Sequence, residues 1–154
     1  MMIKLNDTKI ESWISLIRTQ QFLLEQVEND LKQAGLPPLP WYDVLLELKR
    51  APNGRLRLNE IGARILLEKS NLTRLVDRLE NEMLLVRATC DSDRRGAYAV
   101  ITTKGRALQK RMWPVYATAI ENHFASKLTQ QEAEILLGLL NKLDTSIPDT
   151  SPSN

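Results

Sequence analysis

Between Thr8 and Ala34 the sequence carries neither glycine nor proline. Ile10, Trp13, Ile14, Ile17, Leu24, Val27 and Leu31 recur there at helical spacing, so the stretch predicts one long amphipathic helix. Gly35 ends it, and the following "GLPPLP" is a stiff connector, because proline cannot continue a helix. Further along, Thr129 and Glu132 set a capping-box pattern ahead of "AEILLGLLNKL", a second apolar helix. Apolar stripes this long are more than one small core can cover. A second copy of the chain is therefore expected to cover them.

Charge divides the chain in the same places. From Lys49 to Arg111 there are fifteen Lys or Arg against seven Asp or Glu, a local charge of +8. The remainder holds six against twelve, −6, for a total of +2. A basic middle between acidic ends predicts a polyanion-binding lobe carried on a separate scaffold. Cys90 is the only cysteine, so neither an internal disulfide nor a cysteine-based metal site is expected. His123 is the only histidine and has no ligand-spaced partner, which predicts a surface or interface residue and no metal. The opening "MMIKLNDTKIESW" lacks the apolar core of a signal peptide, and no run approaches the ~20 residues of a membrane helix. The expected address is cytoplasmic. Neither a nucleophile–base pair nor a glycine-rich phosphate loop occurs, so no enzyme and no cofactor is predicted.

Within the basic middle, Trp41 to Lys49 predicts a helix with Val44, Leu45 and Leu48 inward. "APNGR" breaks the chain, Arg55 to Leu58 alternates like a short strand, and Asn59 to about Ile65 predicts a short helix with Ile61 and Ile65 inward. In "EKSNLTRLVDRLENEM" the residues Leu72, Leu75, Val76, Leu79 and Met83 share one face, and Ser70, Asn71, Arg74, Asp77 and Arg78 the other. Two β runs, "LLVRATC" and "AYAVIT", then flank an Arg-rich turn. Thr102 or Thr103 caps a long helix to about Lys127, which Pro114 should kink or break. Two short helices joined tightly, the second polar outside, describe a helix-turn-helix, and the hairpin after them adds a wing.

Two motifs carry a family likeness. "SNLTRLVDRLE" followed by "LLVRATCDSDRRGAYAVITTKG" resembles the multiple-antibiotic-resistance regulator (MarR) family, with its recognition helix, its Asp-x-Arg-Gly wing and its strand ending in Thr-x-x-Gly. The likeness covers about Trp41 to Gly105 at motif level. It implies a mainly α fold with a small β-hairpin wing: one winged helix-turn-helix lobe (39–101) on an α-helical dimerisation scaffold (1–38 and 102–146), with a fraying tail (147–154). It departs from the family at Met83, where relatives have glycine, and at Glu68, where they have Ser or Thr. A turn at Met83 must avoid positive φ or be strained.

The chemistry follows from these positions. On the predicted recognition helix, Arg74 can pair bidentately with guanine and Asn71 with adenine. Ser70 and Thr73 can hold phosphate or meet a thymine methyl. Arg78 can pair with Asp77, Asp93 or a phosphate. A guanidinium at a hairpin tip suits the narrow minor groove, and Gly96 lets the loop turn. By resemblance Arg95 is the minor-groove residue, Asp93 its organiser and Arg94 a phosphate contact or a second groove residue; the residues alone leave the order of the two arginines open. Some relatives sense oxidants through cysteine, in their first helix, so Cys90 is read as an inert thiol. The resemblance also implies a cavity for a small aromatic or phenolic effector. Trp13, Ile17, Trp41, Tyr42, Trp113 and Tyr116 are its candidate lining, with ordinary core packing as the other reading. The expected function is a ligand-responsive repressor that binds double-stranded DNA as a homodimer. The competing reading is a ligand- or protein-binding adaptor that has kept the fold and lost DNA binding, which Glu68 and Asp77 would favour.

Overall fold

The computed structural model describes residues 2–66, 71–89 and 97–146. In chain order these form α1 (Asp7–Gln33), α2 (Leu39–Arg50), β1 (Arg55–Arg57), α3 (Leu58–Arg64), α4 (Leu72–Asn81), β2 (Leu85–Thr89), β3 (Ala97–Ile101), α5 (Thr103–His123) and α6 (Gln130–Leu143). The sheet is antiparallel in the order β1-β3-β2. Leu56 sits opposite Ala99 on one side of β3, and Val86 opposite Val100 on the other. The expected order of helix, strand, helix, helix and hairpin is therefore present, and β1 extends the hairpin into a three-stranded sheet.

The core lies where α2 crosses beneath the other elements of the lobe. Val44, Leu45 and Leu48 of α2 are fully buried, with Ile61 of α3, Val76 and Leu79 of α4, Leu85 of β2 and Met112 of α5. Only the last turns of α1 join this core, through Val27 and Leu31. Its earlier stripe is largely uncovered: Trp13 is 66% exposed, and Ile10 and Ile14 are exposed too. The same holds for α6, which buries no residue and exposes Ile135, Leu137, Leu139, Leu140 and Leu143. Thr129 and Glu132 do form the expected reciprocal cap, at 3.1 and 3.0 Å.

Helix boundaries differ from expectation in three places. α2 begins at Leu39 because Pro40 fits the first turn, where its missing N–H is no loss. α5 runs through Pro114 as one element, so the proline breaks nothing. Its end comes at His123, and Ala125–Lys127 form a separate 3₁₀ turn.

The end of α4 shows how a missing glycine is accommodated. Met83 N–H donates to Glu80 O (2.9 Å) and Leu84 N–H to Leu79 O (2.9 Å), with Met83 at φ +58°. α1 ends with the same pair of bonds, from Gly35 to Lys32 and from Leu36 to Leu31, with Gly35 at φ +70°. The two ends are one Schellman motif, once with its usual glycine and once with a strained methionine. Met83 therefore leaves the packed face of α4 and is 65% exposed.

The next turn closes on this one. Thr102 N–H donates to Leu84 O (3.1 Å), Thr102 Oγ1 to Met83 O (2.7 Å) and Lys104 Nζ to Glu82 O (2.8 Å). Thr102 Oγ1 also accepts from Gly105 N–H, capping α5. A Cβ at Gly105 would collide with the Leu84 carbonyl oxygen and lie 2.9 Å from Ile101 Cγ1. The glycine of "TTKG" is thus demanded by close approach. Urea unfolding should show Met83→Gly more stable by about 1 kcal/mol, since strain goes and little burial is lost. In the same assay Gly105→Ala should lose about 1–3 kcal/mol.

Candidate nucleic-acid interface

α4 buries Val76 and Leu79 and half-buries Leu72 and Leu75. Asn71, Thr73, Arg74, Asp77 and Arg78 are exposed on its outer side. α3 supports it closely: a Cβ on Gly62 would lie 3.3 Å from Leu72 Cδ2. Asn71 is the N-cap residue, yet its side chain does not close on the first amides of the helix. A polar face is thus presented outward on a packed back, which is what entry into a major groove requires. Ser70, Glu68, Cys90 and the wing residues Asp93, Arg94, Arg95 and Gly96 lie outside the described residues.

Asp77 is engaged by an arginine that sequence reasoning did not single out. Arg87 of β2 places Nη2 2.6 Å from Asp77 Oδ1 and Nη1 2.7 Å from Glu80 Oε1, and its backbone N–H donates to Glu80 Oε2 (2.9 Å). The Asp77 hydrogen bond, more than the Glu80 contact, holds the Arg87 guanidinium above its usual pKa, against partial burial. The strand leading to the wing is therefore tied to the outer edge of α4. On the same sheet two guanidinium groups lie over the Tyr98 ring, with Arg55 Cζ 4.8 Å and Arg57 Cζ 5.2 Å from its centre. Arg57 also reaches the Tyr98 hydroxyl through Nη2 (3.2 Å). The alternation of "RLRL" carries this signal, because Leu56 is buried between two outward arginines.

Between α2 and α5 lies a cavity of about 630 Å³. Three of the predicted aromatic residues meet there. Tyr42 and Trp113 are nearly parallel at 6.2 Å, and Tyr116 stands edge-on to both, at 5.2 and 5.9 Å. Burial raises the pKa of both the Tyr42 and Tyr116 phenols, so they are neutral donors at ordinary pH. Lys49 donates to Gln109 Oε1 (2.9 Å) on the lining, beside Arg50. Asp43, Leu39, Leu46 and Leu66 complete much of the wall. Trp13 and Ile17 do not line it. Trp41 lines a smaller cleft instead, with Asn71, Arg74 and Arg78. Sequence reasoning missed the polar lining, although Leu39, Asp43, Leu46 and Arg50 recur on one stripe of α2. His123 Nε2 lies 2.8 Å from Asp30 Oδ2 and joins α5 to α1.

The MarR family model matches residues 34–96. YkoM of Bacillus subtilis (strain 168), an uncharacterized HTH-type transcriptional regulator, is 31% identical over 146 residues, covering 92% of this chain and 92% of its own. The chain belongs to the MarR family. MhqR, an HTH-type transcriptional regulator of the same organism, is 30% identical, with 90% of this chain and 93% of its own covered. The fold agrees. AbsC of Streptomyces coelicolor, a MarR family regulator, superposes with a TM-score of 0.82 at 28% identity, over 92% of this chain and 95% of its own. Sco3205 of Streptomyces coelicolor, solved in complex with DNA, gives 0.84 at 25% identity, over 93% and 89%. These relatives are transcriptional regulators rather than enzymes. Among the described residues no helix is long and apolar enough to cross a membrane, and no cluster of His, Cys, Asp and Glu could hold a metal.

Within this MarR-family lobe, the Arg87 link fixes α4 to β2 from outside the core. Exposed ion pairs are individually weak, but this one is forked and shared between two carboxylates. Arg87→Ala should lower stability by about 1 kcal/mol in urea unfolding. A double-mutant cycle with Asp77→Ala should return a coupling of about 0.5–1 kcal/mol. Strict additivity would mean that the link contributes nothing.

Proposed function

We propose that this MarR-family regulator binds a pseudo-palindromic operator as a homodimer in the cytoplasm and represses transcription until a small aromatic or phenolic effector enters the cavity. The observation that carries this reading is the outward face of α4, where Asn71, Thr73, Arg74 and Arg78 are exposed on a packed helix. Arg74 reads a guanine edge and Asn71 an adenine edge, with Ser70, Thr73 and Arg78 on flanking phosphates. Arg95 enters the minor groove, positioned by Asp93, with Arg94 and Gly96 completing the wing. Residues 39–101 act as the reading lobe, and 1–38 with 102–146 as the scaffold, 147–154 being a tail. The exposed stripes of α1 and α6 pack against those of a second copy, which sets the two recognition helices about 34 Å apart.

The adaptor reading leaned on Glu68, which lies outside the described residues, and on Asp77 near the DNA face. The Asp77 carboxylate is engaged by Arg87 at 2.6 Å, which weakens its share of that support.

Selection of bound fragments from random duplex DNA supplies the operator, and sedimentation the oligomeric state. Operator affinity should fall steeply with salt, with a log–log slope near −0.9 per phosphate contacted. Arg74→Ala should cost about 1–3 kcal/mol and relax one base position per half-site. Arg95→Ala should weaken all sites with little change in major-groove preference. Salt-independent binding, or the two variants exchanging behaviour, would count against this assignment.

A further inference from the structure

Arg55 and Arg57 stand on one face of β1, with buried Leu56 between them on the other. In register, Arg57 lies opposite Tyr98 and Leu56 opposite Ala99. The outward face of the sheet therefore carries both arginines and Tyr98, and the face beneath carries Leu56 and Ala99. Arg87 lies across from Ala99, on the opposite face from Tyr98. The two faces treat their cations differently. Arg87 is met by two carboxylates, Asp77 and Glu80. Arg55 is met by a ring: its Cζ is 4.8 Å from the Tyr98 centre, and among the described residues it has no carboxylate partner. An aromatic ring orders a guanidinium without cancelling its charge. Arg55 is exposed, so that charge is offered at the surface. Tyr98 adds a donor. Its hydroxyl oxygen accepts from Arg57 Nε (3.3 Å) and Nη2 (3.2 Å). A phenol has one hydrogen to give, and among the described residues Tyr98 gives it to none.

We propose that Arg55 and Tyr98 form a further DNA contact, a clamp on one backbone phosphate that is separate from the base-reading residues of α4. The proposal rests on the reading of the chain as a DNA-binding regulator, and it adds a contact that sets register rather than sequence. The chemistry selects the occupant. The cluster offers N–H donors, an O–H donor and positive charge, and its hydroxyl oxygen is already engaged. A base pair presents donors as well as acceptors, whereas a phosphodiester presents acceptor oxygens and a negative charge. Arg55 and the Tyr98 O–H donate to the phosphate, and Arg57 fixes the hydroxyl from behind. Stacking on the ring has already ordered the Arg55 side chain, so little rotamer freedom is left to lose on contact. The position agrees. Arg57 directly precedes α3, against which α4 packs at Gly62, and β3 pairs with β2, which Arg87 ties to α4.

The test uses the full chain and the selected operator. Fluorescence anisotropy reads affinity across a salt series, and ethylation interference, which removes the charge of one phosphate at a time, reads the contacts. Arg55→Ala should weaken operator binding roughly 3- to 10-fold and flatten the log–log salt slope by about 0.9 for each chain bound. Arg55→Lys keeps the charge and should restore the slope. Tyr98→Phe keeps the ring and should weaken binding about 2- to 5-fold at the parent slope, because the lost donor is uncharged. The ratio of affinities for operator and for a scrambled duplex should stay within about 2-fold of the parent's in all three variants. Ethylation of one phosphate for each chain bound should hinder the parent and have no effect on Arg55→Ala. A merely structural role for the cluster would shift the unfolding midpoint and leave the salt slope and the interference pattern unchanged. If Arg55→Ala does not fold, Arg55→Gln carries the same comparison. A parent that binds no duplex overturns the DNA-binding reading and this proposal together. Parent-like slope and interference in Arg55→Ala, the result expected if the patch serves a protein partner, overturns this proposal and leaves the DNA-binding reading standing. Relaxed preference at a single base position in Arg55→Ala does the same, since it would place Arg55 on a base edge.

Discussion

The backbone of Glu82, Met83 and Leu84 joins the end of α4 to the start of α5. Their N–H groups close α4 on the carbonyls of Arg78, Glu80 and Leu79, and their own carbonyls receive Lys104 Nζ, Thr102 Oγ1 and Thr102 N–H from the start of α5. The polar face of α4 is useful only at a defined angle to the helix that carries it. All three acceptors at this junction are backbone carbonyls, while two of the donors are side chains, Thr102 Oγ1 and Lys104 Nζ. Gly105 allows the approach because it has no Cβ to strike the Leu84 oxygen. Met83 accepts a left-handed backbone for the same closure. Arg87 then ties the outer edge of α4 to β2, so α4 is held at its end and along its flank.

α2 has two sides with different duties. One is core, through Val44, Leu45 and Leu48, and helps set the position of the sheet and of α4. The other carries Asp43, Leu46, Lys49 and Arg50 toward the cavity shared with α5. The cavity and the core therefore share α2 as a common wall. Tightly packed elements transmit small displacements, because a close-packed core has few ways to absorb them. The cavity falls in the size range of small-molecule pockets, and among the described residues its charged lining groups are Asp43, Lys49 and Arg50.

Much of this architecture is visible in the residues. The glycine- and proline-free run of α1, the 3.6-residue spacing of α4 and the alternation of the two wing strands each follow from local physics. So does the uncovered stripe on α1 and α6, since its length exceeds what the lobe can bury. The site was less legible. Asp43 looks like an ordinary helix carboxylate until Leu66, twenty-three residues later, is folded onto it. Arg87 looks like a strand residue facing solvent until β2 is laid beside α4. Trp41 shares the aromatic character of Trp113, yet it points into a cleft behind Arg74 and Arg78. Pairings between distant segments decide these cases, and residue spacing does not encode them. "TTKG" was recognisable as a motif, but its physical reason needed the Leu84 carbonyl.

The central claim is that two copies present two α4 helices to successive turns of one duplex. Pulsed dipolar spectroscopy between nitroxides at Asn81→Cys, in a Cys90→Ser background, reads that arrangement directly. With the selected operator bound, a narrow inter-subunit distance near about 34 Å is predicted. No dipolar signal, or a distance well away from one helical turn with operator bound, would contradict the account.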